Sequence, residues 1–283
     1  MTFINNIYAY LNEPYLLKKF LEYDFLPKII ASFQDYDNFY LVTNLFEGNN
    51  LNSFKDDIFS EEQLRFISAC IIQSLDYLRI EKIISRDVTM NNLVMDKKRY
   101  LNLIDFSFSI MYSDKNDIKT FLVISPLDSS PETNNNKLKY DYNSDYYRLG
   151  VILYYLIFKK NINIIKKENN ISDILINPND IKNYSISCID FLNQLIISDF
   201  RKRIGLKSIN ELKEHYWFKD FDWKNFEMKN INSPLKFIIN SRSHCENFNI
   251  SEKKKNLFIF NKTVAKYNFV NKIIIKKILN SKK

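Results

Sequence analysis

Ser85-Arg86-Asp87-Val88-Thr89-Met90-Asn91-Asn92, followed by Asn102-Leu103-Ile104-Asp105-Phe106-Ser107, decides how this sequence is read. An aspartate, an amide a few residues later and a second aspartate after a short hairpin bring two metal-capable oxygen ligands beside one possible base. Mg²⁺ prefers hard oxygens and keeps water and phosphate in its shell, so one carboxylate (Asp105) and one carboxamide (Asn92) are adequate protein ligation. Any one of these residues alone reads as a turn or cap, because Asp and Asn favour loops whatever the function. As an ordered set they describe a phosphoryl-transfer arrangement.

The flanking sequence gives the set a scaffold. Ile83-Ile84, Asn92 to Met95 and Tyr100 to Ile104 read as short strands, the last two joined by the charged turn Asp96 to Arg99. Upstream, Ser60 and Gln63 form a capping-box pattern before Leu64, Ile67, Ile71, Leu75 and Leu78, which predicts a helix with one buried face. Tyr8 to Leu21 reads as a short helix, and Lys28 to Phe33 and Phe39 to Phe46 as strands around the turn Gln34 to Asn38. Downstream, Tyr112 to Ser144 is polar and aperiodic, while Asp145 to Phe158 predicts an almost wholly apolar, buried helix. Asn161 to Asn183 reads as a connection, Cys188 to Ile197 as an amphipathic helix, and Ile209 to Phe218 as the close of a folded region. Beyond Trp223 the pattern loosens, as in a tail that lies over the domain or is partly disordered. Leu17, Val94, Phe106, Leu149, Val151, Leu153 and Leu156 are the predicted core.

Composition excludes more than it assigns. The 283 residues, 46% apolar and 15% aromatic, provide material for a packed core, and a net charge of +8 permits an acidic partner without requiring one. Only three glycines occur, Gly48, Gly150 and Gly205, so no glycine-rich phosphate loop of the usual spacings exists in these residues. Cys70, Cys188 and Cys245 are scattered and histidines number two, against both a disulfide scaffold and a Cys/His zinc site. The longest apolar run, Val151 to Phe158, is too short to span a bilayer and no leader pattern is present, so no transmembrane segment and a cytoplasmic location are expected. Phe258, Phe260, Tyr267 and Phe269 interleave with lysines late in the chain. Lysine-rich solvated surface explains them better than a nucleic-acid or membrane patch, and no nucleic-acid partner is expected.

The informative segment resembles the eukaryotic protein kinases, whose catalytic loop reads H-R-D-L-x-x-x-N and whose metal loop reads D-F-G. Ser130-Pro131-Glu132 stands where that family has A-P-E, Asp145 heads the helix in place of D-x-W-x-x-G, and Arg203 fits the distal arginine that pairs with Glu132. Leu11-Asn12-Glu13, Ser32-Phe33-Gln34-Asp35 through Tyr40-Leu41-Val42, and Arg201-Lys202-Arg203-Ile204-Gly205 with His215-Tyr216-Trp217-Phe218 and Asp222-Trp223 resemble the AGC group, closest to its cyclic-nucleotide-dependent members. Ser233-Pro234 and Asn247-Phe248-Asn249 faintly resemble that group's tail.

The resemblance implies an α+β, kinase-like bilobal fold. Residues 1–46 would form an incomplete upper lobe (helix C and the following strands only), 47–223 a mainly helical lower lobe, and 224–283 a tail. It implies ATP and Mg²⁺ as cofactors and a protein substrate or protein partner. Asp87 would orient or deprotonate the substrate hydroxyl, Asn92 and Asp105 would hold metal, and Glu13 would seek the strand-three lysine. Thr43 as gatekeeper, Asn44 to Glu47 as hinge, Val94 and Asp105 would meet the nucleotide.

Departures from the pattern imply impairment. Only twelve residues precede Glu13, so the glycine loop and strand-three lysine are absent from the chain as given. Ser85 replaces the catalytic-loop His, Thr89 the phosphate-contacting lysine, and Ser107 the D-F-G glycine, where a Cβ makes positive φ costly. The activation-loop phosphosite maps to Phe121, with Thr120 beside it. Two expectations follow: a serine/threonine kinase, or a pseudokinase that acts as a protein-binding scaffold.

Overall fold

The computed structural model describes residues 12–35, 38–112, 130–133, 141–168 and 173–236, together with the backbone of Phe269–Val270. Residues 12–17 are helical (α1) and continue as the 3-10 turn Lys18–Phe20, the described part of the helix predicted from Tyr8 to Leu21. Strands β1 (Ile29–Gln34) and β2 (Phe39–Thr43) pair antiparallel with Phe33 opposite Tyr40, as two strand-like segments around a polar turn predict.

Helix α2 (Glu61–Ile80) starts where the capping box places it. Ser60 Oγ accepts from the Gln63 N–H (3.3 Å) and Gln63 Oε1 accepts from the Ser60 N–H (2.9 Å). Its burial exceeds the single face expected, because Phe66, Ala69, Cys70 and Ile72 are covered as well. The helix packs against later strands as well as the next long helix, so more than one face meets protein. Strands β3 (Ile83–Ile84), β4 (Leu93–Met95), β5 (Leu101–Leu103) and β6 (Ile110–Met111) then form two small antiparallel pairs, β4 with β5 and β3 with β6.

Helix α3 (Tyr142–Phe158) begins three residues earlier than predicted, with Asp141 as its cap, and is buried almost all round. At Gly150 it crosses a later helix so closely that a Cβ would lie 2.8 Å from Ile196 Cγ2 and 2.9 Å from Leu195 Cβ. Helix α4 (Ile162–Glu168) corrects the reading of Asn161 to Asn183 as a plain connection. Asn161 Oδ1 accepts from the Asn163 N–H (2.9 Å), starting a turn that buries Ile162 and sends Lys166 Nζ to Ile196 O (3.2 Å). Helix α5 (Ile186–Ile196) is the partner at the Gly150 crossing, and α6 (Asn210–Lys213) and the 3-10 turn Tyr216–Phe218 close the lower unit.

The segment after Trp223 lies over the domain through residue 235. Helix α7 (Trp223–Glu227) drives Phe226 into a cluster with Phe25, Phe66 and Tyr100, and Lys229 Nζ binds Asp96 Oδ2 (2.6 Å) and Asn102 Oδ1 (2.9 Å). Farther on, β7 (Phe269–Val270) adds to the edge of β1, with Val270 opposite Ala31. Asn247-Phe248-Asn249, Thr120 and Phe121 lie outside the described residues. The seven predicted core residues are all buried, and among the described residues no helix is long and apolar enough to cross a membrane.

Candidate active site

The loop after β3 is hung from helix α3. Asp145, 2% exposed, accepts the Ser85 N–H on Oδ2 (2.8 Å) and the Arg86 N–H on Oδ1 (2.9 Å). Those two bonds hold the chain through a left-handed residue, Arg86 at φ 63°, a conformation a side-chain-bearing residue adopts only when its surroundings enforce it. Burial pushes the Asp145 carboxyl up to about 6, with the charge of Arg148 and the two N–H donors pulling the other way.

From this anchored turn the three decisive residues are brought together by consecutive bonds. Asn92 Nδ2 donates to Asp87 O (3.1 Å) and to Asp87 Oδ2 (2.7 Å), which leaves its Oδ1 turned away from that contact. The Ile104 N–H donates to Asn92 O (2.8 Å), setting Asp105 beside the pair. Asp105 itself is left-handed at φ 63°, and Ser107 fixes it through its hydroxyl (2.6 Å) and its N–H (3.1 Å), both on Oδ1. The strain expected at Ser107 is therefore absent: positive φ falls on Asp105, and the serine hydroxyl makes a bond that glycine could not. One carboxylate and one carboxamide oxygen, both hard, fit Mg²⁺ as a donor set.

Helix α1 closes on this loop. Glu13 Oε1 accepts the Phe106 N–H (2.9 Å), Asn12 Nδ2 donates to Ser109 O (2.6 Å), and the Phe20 and Phe106 rings meet edge to face at 4.8 Å. Burial raises the Glu13 carboxyl to about 6. The Phe106 N–H lowers it and the nearby Asp105 charge raises it further.

The segment assigned to the nucleotide runs from the end of β2 to the flank of β4. Thr43 stands opposite Ile29, Gly48 N donates to Met95 O (2.8 Å), and Asn50 pairs with Val94. A Cβ on Gly48 would sit 2.6 Å from Met95 Cβ and 2.8 Å from Met95 O, so this close approach requires glycine. Two side chains of the set are engaged within the protein: Asn44 Oδ1 accepts the Lys28 N–H (2.6 Å) and Glu47 Oε1 pairs with Lys97 Nζ (2.9 Å). They secure the hinge segment itself.

Below the site, Arg203 and Glu132 form a bidentate pair (Nη1 to Oε1 2.7 Å, Nη2 to Oε2 2.9 Å). Arg203 Nη1 also donates to Asn143 O (2.8 Å) and Nη2 to Ile197 O (2.9 Å). One residue near the catalytic loop escaped the sequence reading. Arg148, 2% exposed on α3, sets Nη1 3.9 Å from Asp87 Oδ1. Its signal was a lone cation inside an apolar helix, three residues after the aspartate that shares its face.

This geometry agrees with the comparisons to known proteins. A family model described as "Protein kinase domain" matches residues 5–218. Serine/threonine-protein kinase sgk-1 of Caenorhabditis elegans is 29% identical over 258 residues, covering 88% of this chain and 54% of the relative. Developmentally-regulated protein kinase 1 of Dictyostelium discoideum is 31% identical over 257 residues (88% and 34%), and cGMP-dependent protein kinase 2 of Mus musculus 28% over 220 (75% and 29%). The chain thus spans about half or less of the length of these relatives. With the family model matched over most of its residues and relatives of the AGC group alongside, the chain belongs to the protein kinase family.

Proposed function

We propose that this chain is an ATP- and Mg²⁺-dependent protein serine/threonine kinase. The observation that carries the reading is the bonded series Asp87, Asn92, Ile104, Asp105, closed from above by Glu13 on the Phe106 N–H. Asn92 Oδ1 and Asp105 would hold the metal, Asp87 would orient the substrate hydroxyl and take its proton, and Thr43, Val94 and the hinge segment would border the nucleotide. Bound Mg²⁺-ATP supplies the phosphoryl group and the charge neutralisation that its transfer needs. Asn92 keeps Asp87 aimed, Asp145 keeps the loop that carries it folded, and Glu13 keeps the metal loop in register with helix α1.

The direct test is incubation of the purified chain with Mg²⁺ and γ-labelled ATP over a panel of serine- and threonine-containing peptides, paired with a thermal-shift titration. Chelator-sensitive label on peptide and a rise in melting temperature with Mg²⁺-ATP are expected. A folded chain with neither response would support the pseudokinase scaffold.

pH separates the site from the fold. Glu13 and Asp145 both have folded pKa values raised to about 6, so the stability they contribute is complete below their ordinary values and is lost as pH rises through about 6. Their charged forms are the ones that accept the Phe106, Ser85 and Arg86 N–H groups most strongly. Phosphate transfer should therefore rise between pH 5 and 7, with a midpoint near 6, while melting temperature falls slightly over the same interval. A flat rate profile across that interval would contradict this assignment.

A further inference from the structure

Helix α3 is apolar along most of its length, and Arg148 interrupts that pattern near its centre. Neither Nη1 nor Nη2 has a hydrogen-bond partner among the described residues, although the side chain is 2% exposed. A buried, unpaired guanidinium is strongly unfavourable unless a nearby charge compensates it. Two carboxylates do so: Asp87, with Oδ1 3.9 Å from Nη1, and Asp145, one turn back on the same helix face.

On the catalytic loop Thr89 is uncharged, and the Arg86 Nε donates to Phe108 O (2.7 Å). Phosphoryl transfer spreads negative charge over the moving group, and preorganised cations beside it account for much of the rate. The Asp87 carboxylate has Oδ2 held by Asn92 Nδ2, while Oδ1 faces the guanidinium. A contact slightly too long for a hydrogen bond in the free protein can tighten when substrate binds.

We infer that Arg148 is a positioning residue of this site: inserted under the catalytic loop from α3, its guanidinium braces the Asp87 carboxylate and provides the positive charge that Thr89 does not. The kinetic part of this inference rests on the kinase reading; the structural part, coupling of Arg148 to Asp87, does not.

The experiment uses the 283-residue chain carrying Arg148→Met, Arg148→Gln, Arg148→Lys, Thr89→Lys/Arg148→Met, Asp87→Asn and Asp87→Asn/Arg148→Met. Both neutral variants should lose on the order of 10²-fold in kcat with KM for Mg²⁺-ATP and peptide little changed. Arg148→Lys should retain most of the rate, and Thr89→Lys should restore part of it to Arg148→Met by returning a charge from the loop side. The melting-temperature changes of Asp87→Asn and Arg148→Met should fail to add by roughly 2 °C or more. Running Met and Gln in parallel keeps the test intact if one variant does not fold. A folded neutral variant with wild-type or higher kcat, or melting temperatures that add, overturns the inference. If the wild-type chain transfers no phosphate, the kinase reading falls and the thermal cycle alone decides the coupling.

Discussion

Replacing Arg203 with methionine should cost the fold about 3–5 kcal/mol, the usual penalty for removing one partner of a buried ion pair. The side chain is fully enclosed and serves three elements at once. It binds both oxygens of Glu132, the Asn143 carbonyl in the first turn of α3 and the Ile197 carbonyl after α5. Its guanidinium also lies 4.8 Å from the Tyr147 ring centroid. Methionine fills much of the volume but leaves two carbonyls and a carboxylate without their donor. Glu132→Leu/Arg203→Met should be more stable than Arg203→Met, because the orphaned charge is gone, yet less stable than wild type, because the carbonyls still lack a partner. Urea denaturation monitored by circular dichroism measures all three.

Acid separates these variants further. Burial alone would raise the Glu132 carboxyl, but the Arg203 hydrogen bonds and charge outweigh it and hold the group below its ordinary value of 4.5. A depressed folded value means that the contribution is complete above the unfolded value and is lost as pH falls through the folded one. Wild type should therefore lose this stabilisation below about pH 4.5, outside the pH 5 to 7 interval in which Glu13 and Asp145 titrate. Arg203→Met should lack that acid-sensitive increment. Equal stability of wild type and Arg203→Met at pH 7 would mean that the pair braces nothing.

Local signals were legible where local physics decides. The capping box set the start of α2, the polar turn between two strand-like segments set β1 and β2, and the almost wholly apolar run set α3, each to within a few residues. What escaped depends on partners distant in sequence. β6 has two residues and exists because Ile83 and Ile84 lie opposite them, and β7 is defined by its pairing with β1. Helix α4 hid in a Lys- and Asn-rich stretch because one buried face, Ile162 and the Lys166 stem, is too short to give a periodic pattern. In the site, the Asp87 and Asn92 spacing was readable because a short loop fixes it. The Ser107 bond to Asp105 was not, since the sequence shows a lost glycine but not which neighbouring residue takes the left-handed turn. Arg148 escaped for a related reason: a cation in an apolar helix has a meaning only once Asp87 is known to sit beside it.

Asp87→Asn should abolish most phosphate transfer, by about 10²–10⁴-fold, the range associated with loss of a positioned general base. The substitution preserves shape, so the loss would report chemistry. Asn at 87 can still accept from Asn92 Nδ2 through its oxygen, but its other terminal atom becomes a donor facing the Arg148 guanidinium, where Oδ1 now stands. The loop anchors are untouched, because the Ser85 and Arg86 N–H groups bind Asp145 and the Ile104 N–H binds Asn92 O. Mg²⁺-ATP affinity should accordingly change little, since Asn92 and Asp105 are assigned the metal, and kcat should carry the effect. A matched Asp105→Asn variant should show the converse emphasis, a weakened Mg²⁺-ATP thermal shift together with the loss of rate. Retention of wild-type turnover by Asp87→Asn would remove Asp87 from the chemistry. Wild-type nucleotide binding and turnover in Asp105→Asn would remove the metal assignment.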